Sequence, residues 1–275
     1  MRIAVLADIH GNLIAFEAAL ADMRGQSVDA IILAGDIVVG SPDSRACWQL
    51  ATSLGCPIVR GNHERYVFTF GQPGAPPEWS GVQYLPIAWA HQQTTADQHA
   101  AMRALPMSYS PAGFERELLI THASLRDDRD TIHARTTDEQ LAQMFPGDPP
   151  ALIVRGHNHI ARSQSWGARM VVTIGSVGLP LDHETTVQYA ILTRLPSGQW
   201  TVEHRSVPYD LDKALARYHD TGYLAAAGPI GRLFHRELAT ASYQILPFLR
   251  WYKRWRQASA ISLEDAYVRF LNDLR

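Results

Sequence analysis

Gly61-Asn62-His63-Glu64 follows a short apolar run, Cys56 to Arg60, and so sets an amide and an imidazole at the end of a candidate strand. Glycine there lets a ligand approach the backbone, Asn offers a carbonyl oxygen, and His can bind a metal or move a proton. The same arrangement recurs along the chain. Four further apolar runs deliver Asp8 with His10, then Asp36, then His122, and finally His157 with His159. Each taken singly is weak, because a lone Asp or His at a strand end is more often a satisfied polar group, and Asn62 alone could be a helix cap. Five strand ends that all carry ligand-type side chains are a different observation. Carboxylate, imidazole and amide oxygen together suit Mn, Fe, Ni or Zn, rather than a thiolate-rich zinc site or an all-oxygen calcium site. The set exceeds what one open coordination site needs, and two metal ions sharing one carboxylate account for it.

Such residues need elements that bring them to one place. Arg2–Ala7 and Asp29–Ala34 read as buried strands, with Asn12 capping a helix in which Leu13, Phe16, Leu20 and Met23 recur at helical spacing. Ser41-Pro42 opens a second helix. Further strands are expected over Cys56–Arg60, Glu115–Ile120, Ala151–Val154, Ala168–Thr173, Gln188–Thr193 and Trp200–Val207. Strands with crossover helices indicate a layered α/β fold, and in such sheets ligands bind beyond the carboxyl ends of the strands. The Gly- and Pro-rich stretch 71–81 reads as a loop and 82–105 as helix, so 71–105 is expected to be a cap-like helical insertion over the site. After Asp210 the pattern is helical, broken at Gly228-Pro229.

Composition narrows the classes. With 275 residues, 46% of them hydrophobic, the chain can bury a large core. A formal charge of −2 and a pI near 6.6 argue against a broad nucleic-acid footprint. Lys213 and Lys253 are the only lysines. Two cysteines do not suggest a disulfide scaffold. The sequence starts on a strand, with no apolar signal core and no run of about 18 apolar residues, so a cytoplasmic protein without membrane partners is expected.

The order Asp8-x-His10, Gly35-Asp36, Gly61-Asn62-His63-Glu64, His122, Gly156-His157-x-His159 resembles the calcineurin-like metallophosphoesterases, closest to their small bacterial and archaeal phosphodiesterase/phosphatase branch. Leu105-Pro106, the stretch His122 to Asp127, the turn Gly175-Ser176-Val177-Gly178 and Val207-Pro208-Tyr209-Asp210 also look like that branch, and the likeness runs over about residues 1–232. It implies a two-sheet α/β sandwich with helices outside. It also implies one metal held by Asp8, His10 and His159, another by Asn62, His122 and His157, with Asp36 bridging and His63 beside the leaving group. The cofactors would be two divalent transition-metal ions, manganese first and Fe, Ni or Zn as alternatives. Two ions about 3.5–4 Å apart can clamp phosphoryl oxygens and acidify a bridging water to a hydroxide nucleophile. The chain departs from the branch at Thr173-Ile174, where Asn-Pro is common, and at Leu181, where Arg is common.

The resulting expectation is a metal-dependent phosphoric ester hydrolase acting on a small phosphoester. A phosphoprotein phosphatase or a nuclease on the same core is the alternative, and a non-catalytic scaffold is disfavoured by the intact ligand set. Arg126, four residues past His122, is a candidate substrate contact, with a surface ion pair as the plainer reading. Glu64 is expected in the first turn of a helix, where its charge favours the dipole, and Trp89 is read as packing. Residues 233–275 form a helical extension beyond the resemblance, with a capping box at Ser262 and Asp265 opening a helix through Leu274. Phe248, Trp251 and Trp255 share a helical face, suited to docking on the core or to pairing in a homodimer.

Overall fold

The computed structural model describes residues 1–273 and shows two mixed sheets between helical layers. The strands are β1 (Arg2–Leu6), β2 (Ala30–Leu33), β3 (Ser108–Tyr109), β4 (Leu118–Thr121), β5 (Leu152–Arg155), β6 (Arg162–Trp166), β7 (Arg169–Thr173), β8 (Val187–Arg194) and β9 (Trp200–Val207). One sheet has the order β2-β1-β8-β9, the other β3-β4-β5-β7-β6. β1 and β2 run parallel, as do β4, β5 and β7; β8 is antiparallel to both β1 and β9, and antiparallel β3 and β6 form the edges of the second sheet.

Side-chain alternation along each strand builds the layers. Ile3 and Val5 of β1 pack with Leu118, Ile120, Val154 and Val172 of the opposite sheet, forming the core between the sheets. Ala4 and Leu6 turn the other way, onto the helices Leu13–Met23 and Ser44–Ser53. Leu119, Ile153 and Val171 pack outward on Leu141, Met144 and Phe145. This is the two-sheet sandwich flanked by helices that the motifs implied. The strands β1, β2, β4 and β5 end in the loops that hold the candidate ligands other than Asn62, which opens the helix Asn62–Thr69.

Several local expectations are corrected. Cys56–Arg60 is no ladder strand: it makes a single bridge, with Leu33 N–H donating to Pro57 O and Val59 N–H to Leu33 O. Pro57 has no N–H to extend the pairing. The second helix starts at Ser44 rather than at Pro42. The stretch 82–105 splits into the helices Leu85–Gln93 and Ala96–Ala104, because Thr95 caps the second one. Short β3, polar β6 and the helix Asp138–Met144 carry too few apolar residues to stand out in the sequence.

The expected division at 232/233 falls inside the helix Gly228–Thr240. That helix, Ile245–Ala258 and Leu263–Asp273 close on a shared core of Ile230, Leu233, Phe248, Leu263, Ala266 and Phe270. Ser262 Oγ accepts from Asp265 N–H at 3.0 Å, the cap that was anticipated, while the expected end at Leu274 lies outside the described residues. Phe248 is fully buried against Phe270, and the Arg269 guanidinium covers the Trp255 ring at 4.4 Å. Phe248 and Trp255 therefore pack on their own chain, whereas Trp251 remains 39% exposed. Among the described residues no helix is long and apolar enough to cross a membrane.

Candidate metal centre

The loops that leave β1 and β2 are stitched together before any side chain is considered. Asp8, His10 and Gly11 donate their N–H groups to the carbonyls of Gly35, Asp36 and Ile37. The turn Gly175–Gly178 braces the same loop, since Val177 and Gly178 donate to Ala7 O and Asp8 O, and Ser176 Oγ donates to Asp8 O. Asp8, His10, Asp36, His157 and His159 all have φ between 51° and 69°. That left-handed backbone costs on the order of 1–2 kcal/mol per residue, although Asp and His tolerate it better than most. It is held because the loops are crosslinked on several sides. Gly61 and Gly156 serve close approach: a β-carbon at Gly61 would collide with Asp36 Oδ1, and one at Gly156 would sit 2.6 Å from Asp8 Oδ2.

The side chains then converge. His159 Nε2 lies 3.4 Å from Asp8 Oδ1 and 3.0 Å from His10 Nε2. His122 Nε2 lies 3.3 Å from Asp36 Oδ2 and 3.0 Å from Asn62 Oδ1. Asp8, His10 and His159 form one group of potential ligands, Asp36, His122 and His157 another, and His10, Asp36 and His63 a third that overlaps both. Asp36 Oδ2 is also 3.8 Å from both His10 Nε2 and His63 Nε2, so it stands between the two groups.

The far side of each imidazole tells which nitrogen faces the centre. A carbonyl can only accept, so a ring nitrogen bonded to one carries the proton. His10 Nδ1 donates to Val39 O, His122 Nδ1 to Ala34 O, and His159 Nδ1 to Leu179 O, at 2.9, 2.9 and 2.6 Å. His157 is reversed, donating through Nε2 to Arg129 O at 3.1 Å. In the neutral rings, the lone pairs of three Nε2 atoms and one Nδ1 atom point at a cluster that already holds two carboxylates. A backbone carbonyl behind a histidine is the usual support of a metal ligand, and this donor set fits divalent ions of the borderline class.

Burial and the charges within the cluster pull its members in opposite directions. Burial opposes the charge on Asp36, yet His122 and His63 pull its carboxyl well below the usual range. Burial likewise works against imidazolium at His122, but Asp36 raises it to about 9. Burial, joined by His159 and His63, lowers His10 to about 3.

His63 differs from the four. Its N–H donates to Asp36 Oδ1 at 2.9 Å, fixing the backbone, but its buried Nδ1 has no hydrogen-bond partner. The ring lies edge-on to His10 at 4.8 Å and beside Tyr66 at 5.3 Å. No carbonyl fixes its tautomer, and its Nε2 faces Asp36 Oδ2 at 3.8 Å. Arg126 is placed apart from the cluster: it is exposed and donates twice to Asp130, at 2.9 and 2.7 Å. Trp89 packs on Tyr223 and donates to Pro42 O.

Two residues gain roles that the sequence reading did not assign. Glu64 does sit in the first helical turn, but it is fully buried and accepts from the N–H groups of Asp36, Ile37 and Gly61 at 2.9, 2.7 and 2.8 Å. Burial and the Asp36 charge push its carboxyl up to about 7. Arg155, fully buried at the end of β5, donates to Ala123 O, Asp130 O, Thr173 Oγ1 and Asn158 Oδ1, tying the loops after β4 and β5 together. The signals were available: a Glu at the third helical position after Gly61, and a charge closing an otherwise apolar strand.

Replacing Glu64 by Gln turns one acceptor into a donor facing N–H groups. Each buried donor left unsatisfied costs about 1–3 kcal/mol. Glu64→Gln is therefore expected to melt at lower temperature and to hold less metal, because the Asp36 and Asn62 loops lose their common anchor. Wild-type melting with wild-type metal content would show that the anchor is unimportant.

Comparison with known proteins follows the same lines. A family model described as the calcineurin-like phosphoesterase superfamily domain matches residues 1–194. An uncharacterized protein of Methanocaldococcus jannaschii is 26% identical over 234 residues, which cover 77% of this chain and 89% of the relative. A metallophosphoesterase from Sphaerobacter thermophilus has a similar structure, with a TM-score of 0.69 and 25% identity over 88% of this chain and all 100% of that one. A hypothetical protein from Pyrococcus horikoshii shares the fold at a TM-score of 0.67 and 16% identity, covering 80% of this chain and 93% of its own.

Proposed function

The chain belongs to the calcineurin-like phosphoesterase superfamily, and we propose that it hydrolyses small phosphoric esters with the help of two divalent metal ions. One observation carries this reading: four imidazoles, each with its outer nitrogen bonded to a backbone carbonyl, aim their free nitrogens at Asp8 and Asp36. Asp8, His10 and His159 would hold one ion, and Asn62, His122 and His157 the other, with Asp36 shared. When bound, such a pair lowers the pKa of water and stabilises phosphoryl oxygens; manganese is the first candidate, with Fe, Ni or Zn next.

The chain's own contribution is positioning. Asp36 Oδ1 fixes the His63 backbone, which leaves the imidazole free to deliver a proton to the departing oxygen. The backbone carbonyls of Ala34, Val39 and Leu179 set ring orientation, so little reorganisation is needed when substrate arrives. Protein stripped by a chelator should lose hydrolysis of an activated aryl phosphoester and regain it with added Mn, and a panel of esters with each metal then ranks substrates. Full activity in the stripped protein would sink the proposal.

A further inference from the structure

The candidate metal centre opens into a cavity of about 470 Å³ whose walls are apolar. Ile230, Phe234, Leu246 and Leu249 from the C-terminal helices line it, together with Tyr84 and Ile87 from the insertion. The metal-side end is formed by His10, Asp36, Asn62 and His63, so the apolar space is continuous with the reacting position. Leu246 is 52% exposed, a large side chain left facing solvent at the edge of this space. Continuous exposed apolar surface of this kind commonly marks a ligand site.

Charge selects further. Among the described residues no lysine or arginine lines the cavity. Its carboxylates are Asp36 and Glu237, and Glu237 is buried while accepting from the N–H groups of Gln244 and Ile245 at 2.8 and 2.9 Å. These bonds fix the turn between the last two helices lining the space. Next to the cavity, a groove sharing Tyr66 does contain arginines. Arg65, Arg126 and Arg129 in that groove are already paired with Asp128, Asp130 and Asp127, and Arg60 donates to Arg103 O and Met107 Sδ. On the other side, a groove that shares Gln83 and Leu249 with the cavity holds Lys253 and Arg256. A charged group held inside the apolar space would meet no cation there and would lose its hydration, a large cost for an ion.

We infer that the reacting phosphoryl group of the substrate is esterified to an apolar group, an alkyl chain or an aryl ring, which lies between the insertion and the C-terminal helices. The phosphoryl half of this ligand rests on the hydrolase reading above. The apolar half rests on the cavity alone. Burial of each methylene is worth about a fourfold gain in affinity at most.

Alkylphosphonates from methyl to octyl, titrated calorimetrically into the metal-loaded protein, test the cavity without turnover. In parallel, 4-nitrophenyl alkyl phosphodiesters of the same chain lengths and a dinucleoside polyphosphate test it with turnover. The dissociation constant is expected to fall by about two- to fourfold per methylene until the space fills, with kcat/KM rising in step. Leu246→Arg, at an exposed position that tolerates charge, should cut the octyl-to-methyl affinity ratio on the order of tenfold. Chain-length-dependent binding without hydrolysis of any ester would leave the ligand class standing and remove the hydrolase reading. Hydrolysis that is indifferent to chain length, or that favours the polyphosphate over the octyl ester, would overturn the inference and keep the hydrolase.

Discussion

Asp36→Asn should empty the metal centre and abolish turnover together. Asn keeps an oxygen to accept the His63 N–H, now at 2.9 Å from Asp36 Oδ1, so the local backbone survives. What disappears is the negative charge standing between the two ligand groups, 3.3 Å from His122 Nε2 and 3.8 Å from His10 Nε2. Sharing one carboxylate lets two cations sit close together, so its loss weakens both. Metal-ion stabilisation of phosphoryl transfer is worth several kcal/mol, and about 4 kcal/mol corresponds to roughly 10³-fold in rate. Elemental analysis after dialysis, alongside kcat/KM on an activated ester, reads both effects. Activity that falls while bound metal stays at the wild-type level would mean that Asp36 does not bridge.

His63→Ala is expected to divide substrates by their leaving groups. A positioned general acid contributes about 10²–10⁴-fold, but only where the departing oxygen needs a proton. An alkyl ester should lose a factor in that range, and a 4-nitrophenyl ester much less. The structural basis is the contrast among the histidines: His10, His122 and His159 are each pinned by a carbonyl, whereas His63 Nδ1 is buried without a partner. Burial lowers the His63 imidazole below its ordinary value, with Asp36 acting in the opposite direction. Equal losses on both esters, accompanied by a lower metal content, would place His63 among the ligands instead.

The candidate ligands stood out early because metal binding restricts residue types so strongly. Asp, His and Asn at the ends of apolar runs are rare enough in combination that Asp8, His10, Asp36, Asn62, His63, His122, His157 and His159 stood out by position, and only the family resemblance set His63 apart from the ligands. The layered α/β architecture was legible for a similar reason, since buried parallel strands must be continuous apolar runs. Weakly apolar elements escaped: β6, Arg162–Trp166, alternates only between half-buried and exposed residues, and Ser108–Tyr109 is two residues long.

Tertiary structure decided what depends on contacts between residues far apart in sequence. Which imidazole nitrogen faces the centre follows from carbonyls 20 to 88 positions away, as with Leu179 for His159 and Ala34 for His122. Glu64 looked like a helix-dipole residue, and became the shared acceptor of three buried N–H groups only when the Asp36 loop closed over it. Residues 233–275 looked like an appendage, yet Phe234, Leu246 and Leu249 wall the cavity beside His159. Composition records how much apolar surface a helix has, whereas the partner that covers it is set by the folded path of the chain, and here that path leaves part of the surface facing the metal centre.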